Sequence, residues 1–304
     1  MRQTKGFGLA DLLLIGVTII WGVNVVVVKA ALTELNPLSF NSLRFGISAL
    51  LSGALLMVTG LPLLPQREDL PRLAGLGLLG HTCYQVLFIS GTNLTTAANT
   101  ALLLATIPVW VAALGAITGD EDAGPLTWAG IGLSILGIVL VTASGDLALG
   151  GSTWLGDIMV VSGTFFYAFY TLKSKALLQK YTPLQFSTWT MTVGALAMFL
   201  VSLGSLQAQD WSAVGPVGWG GLAFSAGLAI ALGYYIWTNG VQKLGAARTA
   251  VYNNLTPVTA MITGCLFLEE KVTSLQLSGA ALIICGLYIT RAPAKARLQQ
   301  KNSE

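Results

Sequence analysis

Residues 21–40 read WGVNVVVVKAALTELNPLSF, and residues 167–186 read YAFYTLKSKALLQKYTPLQF. At an offset of 146, Trp21 meets Tyr167, Lys29 meets Lys175, Ala30 meets Ala176 and Pro37 meets Pro183. Leu38 and Phe40 meet Leu184 and Phe186, and upstream Asp11 meets Asp157. Apolar residues coincide by chance in any apolar chain, whereas an aspartate, a lysine and a proline in one register mark a repeat. The register continues at an offset of 149: Gly91 with Gly240, Ala97-Ala98 with Ala246-Ala247, Thr100-Ala101 with Thr249-Ala250 and Pro108-Val109 with Pro257-Val258. Gly115, Gly130 and Gly137 then meet Gly264, Gly279 and Gly286, and Asp120-Glu121 meets Glu269-Glu270. The chain is thus two copies of one pattern, placed at 1–145 and 146–304.

Composition says where such a pattern lives. Of 304 residues, 54% are hydrophobic and 10% charged, with a mean hydropathy of +0.72. An ordinary soluble domain carries about 25% charged residues, so this chain cannot cover a globule with polar surface. That excludes a soluble enzyme, a nucleic-acid binder and a disordered tail. No Asp, Glu, Lys or Arg occurs between Arg72 and Asp120, between Lys180 and Asp210, or between Asp210 and Lys243. A helix crosses the hydrocarbon core with about 20 apolar residues. The charge-free runs, divided at turn residues, predict ten spans: 9–29, 38–59, 71–91, 97–118, 125–144, 153–174, 184–204, 216–239, 246–268 and 274–291. The runs are continuous rather than alternating, which favours helices over a barrel. The first span is too long for a signal peptide, holds Trp21 and Asn24, and lacks a small-residue cleavage site. Cys83, Cys265 and Cys285 lie within spans and have neither disulfide nor metal spacing. The expected fold is therefore an all-α membrane protein of ten transmembrane helices.

Charge orients it. With a cytoplasmic N-terminus, Arg2, Lys5, Arg67, Arg72, Lys173, Lys175, Lys180, Lys243, Arg248, Arg291, Lys295, Arg297 and Lys301 fall inside, Lys29 and Lys271 outside, and Arg44 within a span. This is a strong positive-inside bias, with both termini in the cytoplasm. The acidic Asp120-Glu121-Asp122 loop is also expected inside, which the rule tolerates because acids count for little. The net charge of +3 reflects topology and needs no nucleic-acid partner. Five spans per copy is an odd number, so the second copy enters the membrane upside down; Lys29 outside and Lys175 inside agree. Inverted repeats are characteristic of secondary transporters, whose substrate sites lie near the midplane where the repeats meet.

The chain resembles the EamA-type members of the drug/metabolite transporter superfamily. The resemblance rests on Trp21-Gly22-x-Asn24 through Lys29, Arg44-Phe45, Pro108, Pro257-Val258, Leu268-Glu269-Glu270 and Gly279-Ala280. It implies a ten-helix exporter of a bacterial-type inner membrane, built around a central cavity. Such exporters handle amino acids, aromatic ones among them, or drugs and cationic toxicants. The first copy departs from the pattern where Thr118-Gly119-Asp120-Glu121 stands in for Phe267-Leu268-Glu269-Glu270, before an extra Asp122-Ala123-Gly124-Pro125 turn.

Polar side chains within spans are site candidates, because lipid penalises them unless they face protein or a wet cavity. The candidates for substrate binding are Trp21, Asn24, His81, Tyr84, Asn99, Trp110, Tyr167, Tyr234, Trp237, Arg248, Tyr252 and Asn253. Each has a bland alternative: His81, the only histidine, as a packing residue, and the aromatic stripes as packing or interface belt. Aromatics combined with amides suit a solute with a flat apolar part and charged ends, held by stacking and cation–π contacts, with Arg248 taking a carboxylate. Pro108 and Pro257, matched and mid-span, read either as static kinks or as paired hinges.

These features point to export of small amphipathic metabolites, chiefly apolar amino acids, by alternating access. The alternatives are a multidrug exporter of the same family or a membrane-embedded transferase. The transferase would need positioned catalytic groups beyond the Asp120-Glu121-Asp122 cluster, and a channel would need a charge ring or carbonyl filter. No carboxylate falls near an expected midplane, leaving His81 and Glu270 as relay candidates, so weakly coupled or uncoupled export is expected. There is no P-loop. A small solute and membrane lipid are the expected partners, with no cofactor, metal or nucleic acid, and a monomer is compatible with the sequence. The topology is open to a direct test. Asp122→Cys and Asp210→Cys, in a background lacking the three native cysteines, are expected to label with an impermeant maleimide from the inside and the outside respectively. Reversed sidedness would overturn the orientation.

Overall fold

Matched prolines open matched helices. Asn36 accepts a hydrogen bond from the Leu38 amide (3.1 Å) ahead of Pro37, and Thr182 caps the Gln185 amide (3.3 Å) ahead of Pro183. Proline suits a first turn because the amide it lacks has no helical partner there. The structure, a computed structural model, describes residues 8–118, 125–143, 153–253, 255–268 and 272–300. Among these residues there are helices and no strand. In chain order they are α1 (Leu9–Ala31), α2 (Pro37–Val58), α3 (Arg67–Leu94), α4 (Ala97–Ile117), α5 (Pro125–Ala143), α6 (Thr153–Leu177), α7 (Pro183–Ala208) and α8 (Pro216–Leu244). Then follow α9, in two pieces (Ala246–Tyr252 and Leu255–Phe267), and α10 (Ser274–Gln300). The stretches α1–α4 and α6–α8 are long and apolar enough to cross a membrane, and shorter apolar helices lie in α5, α9 and α10. The helices coincide with the stretches expected from charge-free runs, and the protein is a multi-pass membrane protein. The acidic residues Asp120, Glu121, Asp122, Glu269 and Glu270 lie outside the described residues.

Packing follows the repeat. The most extensive contact between long helices is α5 with α10, one element against its own counterpart, and α2 with α7 is another of that kind. The remaining contacts come in reciprocal pairs: α3 packs on α6 as α8 packs on α1, and α9 packs on α1 as α4 packs on α6. Reciprocity of this kind is what an approximate two-fold axis produces. Individual residues obey it as well. A Cβ on Gly137 would lie 2.6 Å from the Gly279 carbonyl oxygen, and one on its counterpart Gly286 would collide with the Gly130 carbonyl. Four pairs consist of a residue and its own counterpart. Trp21 and Tyr167 meet edge to face at 6.5 Å, and Gln85 Nε2 donates to Tyr234 OH (3.2 Å). Asn253 Nδ2 donates to the Leu104 carbonyl (2.8 Å), and Ser134 Oγ to the Ile283 carbonyl (3.4 Å).

The connections gather at two ends. At one, Lys29 Nζ donates to the carbonyls of Thr92, Asn93 and Thr95, and Glu34 accepts from the amides of Gly215 and Gly218 at the start of α8. At the other, Lys180 pairs with Glu68 (2.6 Å) and Asp69 (2.7 Å), Trp189 Nε1 donates to the Leu63 carbonyl, and Gln242 Nε2 donates to that of Leu178. Hydrogen bonds to Asp69 and Glu68 hold the Lys180 ammonium above its ordinary pKa. The helix α2 runs from the first end to the second, so residues 31–36 and their counterparts 177–182 lie at opposite ends. Close approach of α5 and α10 through glycine predicts that Gly137→Leu and Gly286→Leu each lower the thermal midpoint in detergent. The expected cost of overpacking is about 1–3 kcal/mol. Gly132→Leu, whose added Cβ meets nothing within 4 Å, is expected to leave the midpoint unchanged.

Candidate functional site

Each of the long helices α3 and α8 changes its winding midway. Leu78–Cys83 and the matched Ser225–Leu232 are π-helical, a looser turn that reorients the side chains around it. In α3 the residues that follow are Tyr84 and Gln85; in α8 the residue after Gly233 is Tyr234. These side chains, with Trp21 and Asn24 from α1, Arg44 from α2, Tyr167 from α6 and Asn253 after the first piece of α9, line one cavity. Leu104 lines it as well. Three of the four counterpart pairs, Trp21–Tyr167, Gln85–Tyr234 and Leu104–Asn253, therefore face this cavity, which places it on the axis. Its volume is about 50 Å³, room for a few waters.

Aromatic rings form much of its wall. Trp21 lies 6.3 Å from Tyr234 and 5.1 Å from Trp237, and anchors its indole on the Ala229 carbonyl (2.7 Å). Tyr84 and Tyr167 are 4.8 Å apart. Two wall atoms are buried without a hydrogen-bond partner among the described residues: Asn24 Oδ1 and the Tyr167 hydroxyl.

Of the residues read from sequence, Trp21, Asn24, Tyr84, Tyr167, Tyr234 and Asn253 line this cavity. His81 and Trp237 form a second layer behind it. His81 is fully buried, with Nε2 3.1 Å from Thr190 Oγ1 and its ring 4.7 Å from Tyr234. Trp237 is buried against Trp21 and Tyr167. Asn99 lies elsewhere, donating to both carboxylate oxygens of Asp157 (3.2 and 3.0 Å) and accepting from Gln276 (2.5 Å). Trp110 packs on Phe165 at 5.7 Å, and Tyr252 donates to Asp11. The Arg248 side chain lies outside the described residues. Gln85 and Arg44 are among the cavity residues absent from the site set read from sequence. Gln85 shares a helical face with His81 and Tyr84, and Arg44 is the one basic residue expected within a span. A lone charge there was itself the signal.

The prolines mark breaks in the helices. In α4 the helix interrupts at Ala105–Thr106 and restarts at Ile107, with Pro108 in its first turn; α9 restarts at Leu255, ahead of Pro257. Pro108 has no amide to offer the Leu104 carbonyl four residues back. Asn253 supplies that donor at 2.8 Å, while its Oδ1 accepts from Thr256 Oγ1 (3.2 Å). In a membrane a freed carbonyl must find such a partner within the protein. A double-mutant cycle tests the pairing. Asn253→Leu is expected to lower stability by about 0.5–2 kcal/mol in the native background. The loss should shrink to near zero when Pro108→Ala restores the backbone donor, and additivity of the two changes would refute the coupling.

The profile of the EamA-like transporter family matches residues 8–143 and again residues 154–292. A protein of Escherichia coli (strain K12) named "Probable amino-acid metabolite efflux pump" is 28% identical over 286 residues, covering 90% of this chain and 91% of that one. The "Probable terminal-alkyne amino-acid exporter" of Streptantibioticus cattleyicolor is 27% identical over 243 residues, covering 79% of each chain. An uncharacterised transporter, YyaM, of Bacillus subtilis (strain 168) is 28% identical over 284 residues, covering 91% of each. A crystal structure of a protein 16% identical in sequence superposes with a TM-score of 0.67, covering 93% of this chain and 98% of that one. At that identity the likeness shows the fold alone.

Proposed function

The chain belongs to the EamA-like transporter family, and from that membership we propose that it exports small amphipathic metabolites, chiefly amino acids with aromatic or other apolar side chains, by alternating access. Ten spans form two inverted five-span halves, 1–145 and 146–304, in a bacterial-type inner membrane with both termini cytoplasmic. The observation that carries the reading is the cavity on the axis, walled by Trp21, Tyr84, Tyr167 and Tyr234 and supplied with Asn24 and Gln85. Rings bind the flat apolar part of a solute, and amides bind its polar end. The names of two relatives as amino-acid exporters support the same solute class. A cationic drug fits less well, because the cavity wall includes the guanidinium of Arg44. Inverted halves supply the two openings: exchanging their conformations turns an inward-open form into an outward-open one.

The test is efflux from proteoliposomes loaded with radiolabelled aromatic and branched amino acids and one cationic dye, with and without a pH gradient. Aromatic amino acids are expected to leave faster than the dye, at a rate the pH gradient changes little. Tyr84→Ala is expected to slow efflux about two- to tenfold, the worth of one aromatic contact, at unchanged protein yield. Failure of the whole panel to move would end the transport reading.

A further inference from the structure

Arg44 sits at the cavity wall, 1% exposed, with its guanidinium carbon 5.2, 5.9 and 5.7 Å from the rings of Phe40, Phe45 and Phe88. An arginine has five N–H donors. Here three are used, all on neutral oxygens: Nε on Asn41 Oδ1 (2.7 Å), one terminal nitrogen on Ser225 Oγ (3.1 Å) and the other on Gln85 Oε1 (2.6 Å). The other two have no acceptor among the described residues, and no described carboxylate lies within ion-pair distance. A buried charge is ordinarily paired, because desolvation is not recovered by neutral partners alone. Removing it from water inside a bilayer compounds that penalty. Three hydrogen bonds nevertheless fix the guanidinium in place and leave its remaining donors without acceptors. The two unpartnered acceptor atoms in the wall of the same cavity, Asn24 Oδ1 and Tyr167 OH, complete the pattern: donors at one position and acceptors at others, with rings among them.

We propose that Arg44 binds the carboxylate of the solute, and that Asn24 Oδ1 with the Tyr167 hydroxyl accepts from its ammonium group. The class of ligand is a zwitterionic α-amino acid with an apolar side chain. This inference rests on the transport reading for its setting and names the group within the cavity that selects the solute. It also moves the role of carboxylate anchor from Arg248, as expected from sequence, to Arg44.

The test measures binding without flux. Purified full-length protein in detergent is titrated with phenylalanine, leucine, 3-phenylpropionate, phenylalaninamide and sodium chloride, and ligand-dependent thermal stabilisation gives the affinity. The carboxylated ligands are expected to stabilise the native protein, and phenylalaninamide to bind at least about tenfold more weakly than phenylalanine, as loss of a charge-assisted pair implies. Arg44→Gln should weaken phenylalanine by a similar factor and phenylalaninamide by less than about threefold. Arg44→Lys, which keeps the charge but not the fork, should fall between. Equal binding of phenylalanine and phenylalaninamide by the native protein overturns the proposal without recourse to any variant. So does stabilisation by chloride equal to that by the carboxylates, or stabilisation by none of the ligands. Carboxylate-selective binding without efflux from liposomes would defeat the transport reading while leaving Arg44 as the anchor. Equal efflux of phenylalanine and its amide, unaltered by Arg44→Gln, would do the reverse.

Discussion

A residue that touches its own counterpart in the other half can sit only on the axis relating the halves. Trp21 with Tyr167, Gln85 with Tyr234, Leu104 with Asn253 and Ser134 with Ile283 meet this condition, and much of the architecture follows from them. They fix the faces that α1, α3, α4 and α5 turn inward, and hence the faces of α6, α8, α9 and α10. Bulky or hydrogen-bonded contacts at three of these pairs keep the halves from closing completely along the axis, and the space left is the cavity. Where the axis instead passes between α5 and α10, glycines at Gly137 and Gly286 let the backbones approach closely.

The frame repeats, but the chemistry placed on it does not. The position matching Arg44 is Thr190, which engages His81; the position matching His81 is Ile230; the position matching Asn24 is Tyr170. Backbone devices are kept in both copies: the π-helical turn, the interrupted helix ahead of a proline, and the Asn/Thr-Pro helix start. Such devices shape the helices and so must match for the halves to fit one another. On the proposed reading a binding group at the centre is needed only once, since a single solute occupies it. A second guanidinium opposite the first would repel it across a few ångströms of low dielectric.

Charge spacing made the helices legible in sequence, because a bilayer excludes charge over a fixed length, and the matched Asp, Lys and Pro made the repeat legible. The site was half legible. Trp21, Tyr84, Tyr167 and Tyr234 betray themselves as aromatics within spans, but so does Trp237, and the sequence cannot say which ring stands in front of which. Asn99 and Asn253 look alike on paper as amides in matched spans. In space one serves Asp157 and the other the carbonyl freed by Pro108, partners 58 and 149 residues away. Arg44 was visible as the odd charge in a span, yet its weight comes from having no carboxylate nearby among the described residues, which only three-dimensional packing reveals. The π-helical turns were not legible, since Gly80, His81 and Thr82 in Leu78–Cys83 are weak helix formers but do not mark a π turn as against an ordinary one.

The distribution of polar bonds bears on how such a molecule could alternate between two openings. Between the halves the described hydrogen bonds at the cavity include neutral ones, such as Gln85 with Tyr234 and Asn253 with Leu104, and one from the Arg44 guanidinium to Ser225. Neutral bonds within membranes are worth about 0.6–2 kcal/mol each. The ionic contacts lie at the ends. Lys180 and Glu68 are 37% and 72% exposed, so water replaces most of what their separation loses. The Glu34 carboxylate on the amides of Gly215 and Gly218 is a helix N-terminal contact of similarly modest worth. Asp69, the other partner of Lys180, is buried and also accepts from Tyr181, which gives that end a stronger contact than the exposed pair alone. In the proposed alternation, a strong clasp at one end without a matching one at the other would hold the halves in a single state. Thr95 and Asn99 donate to Asp157 at its end, and Tyr252 donates to its counterpart Asp11 at the other.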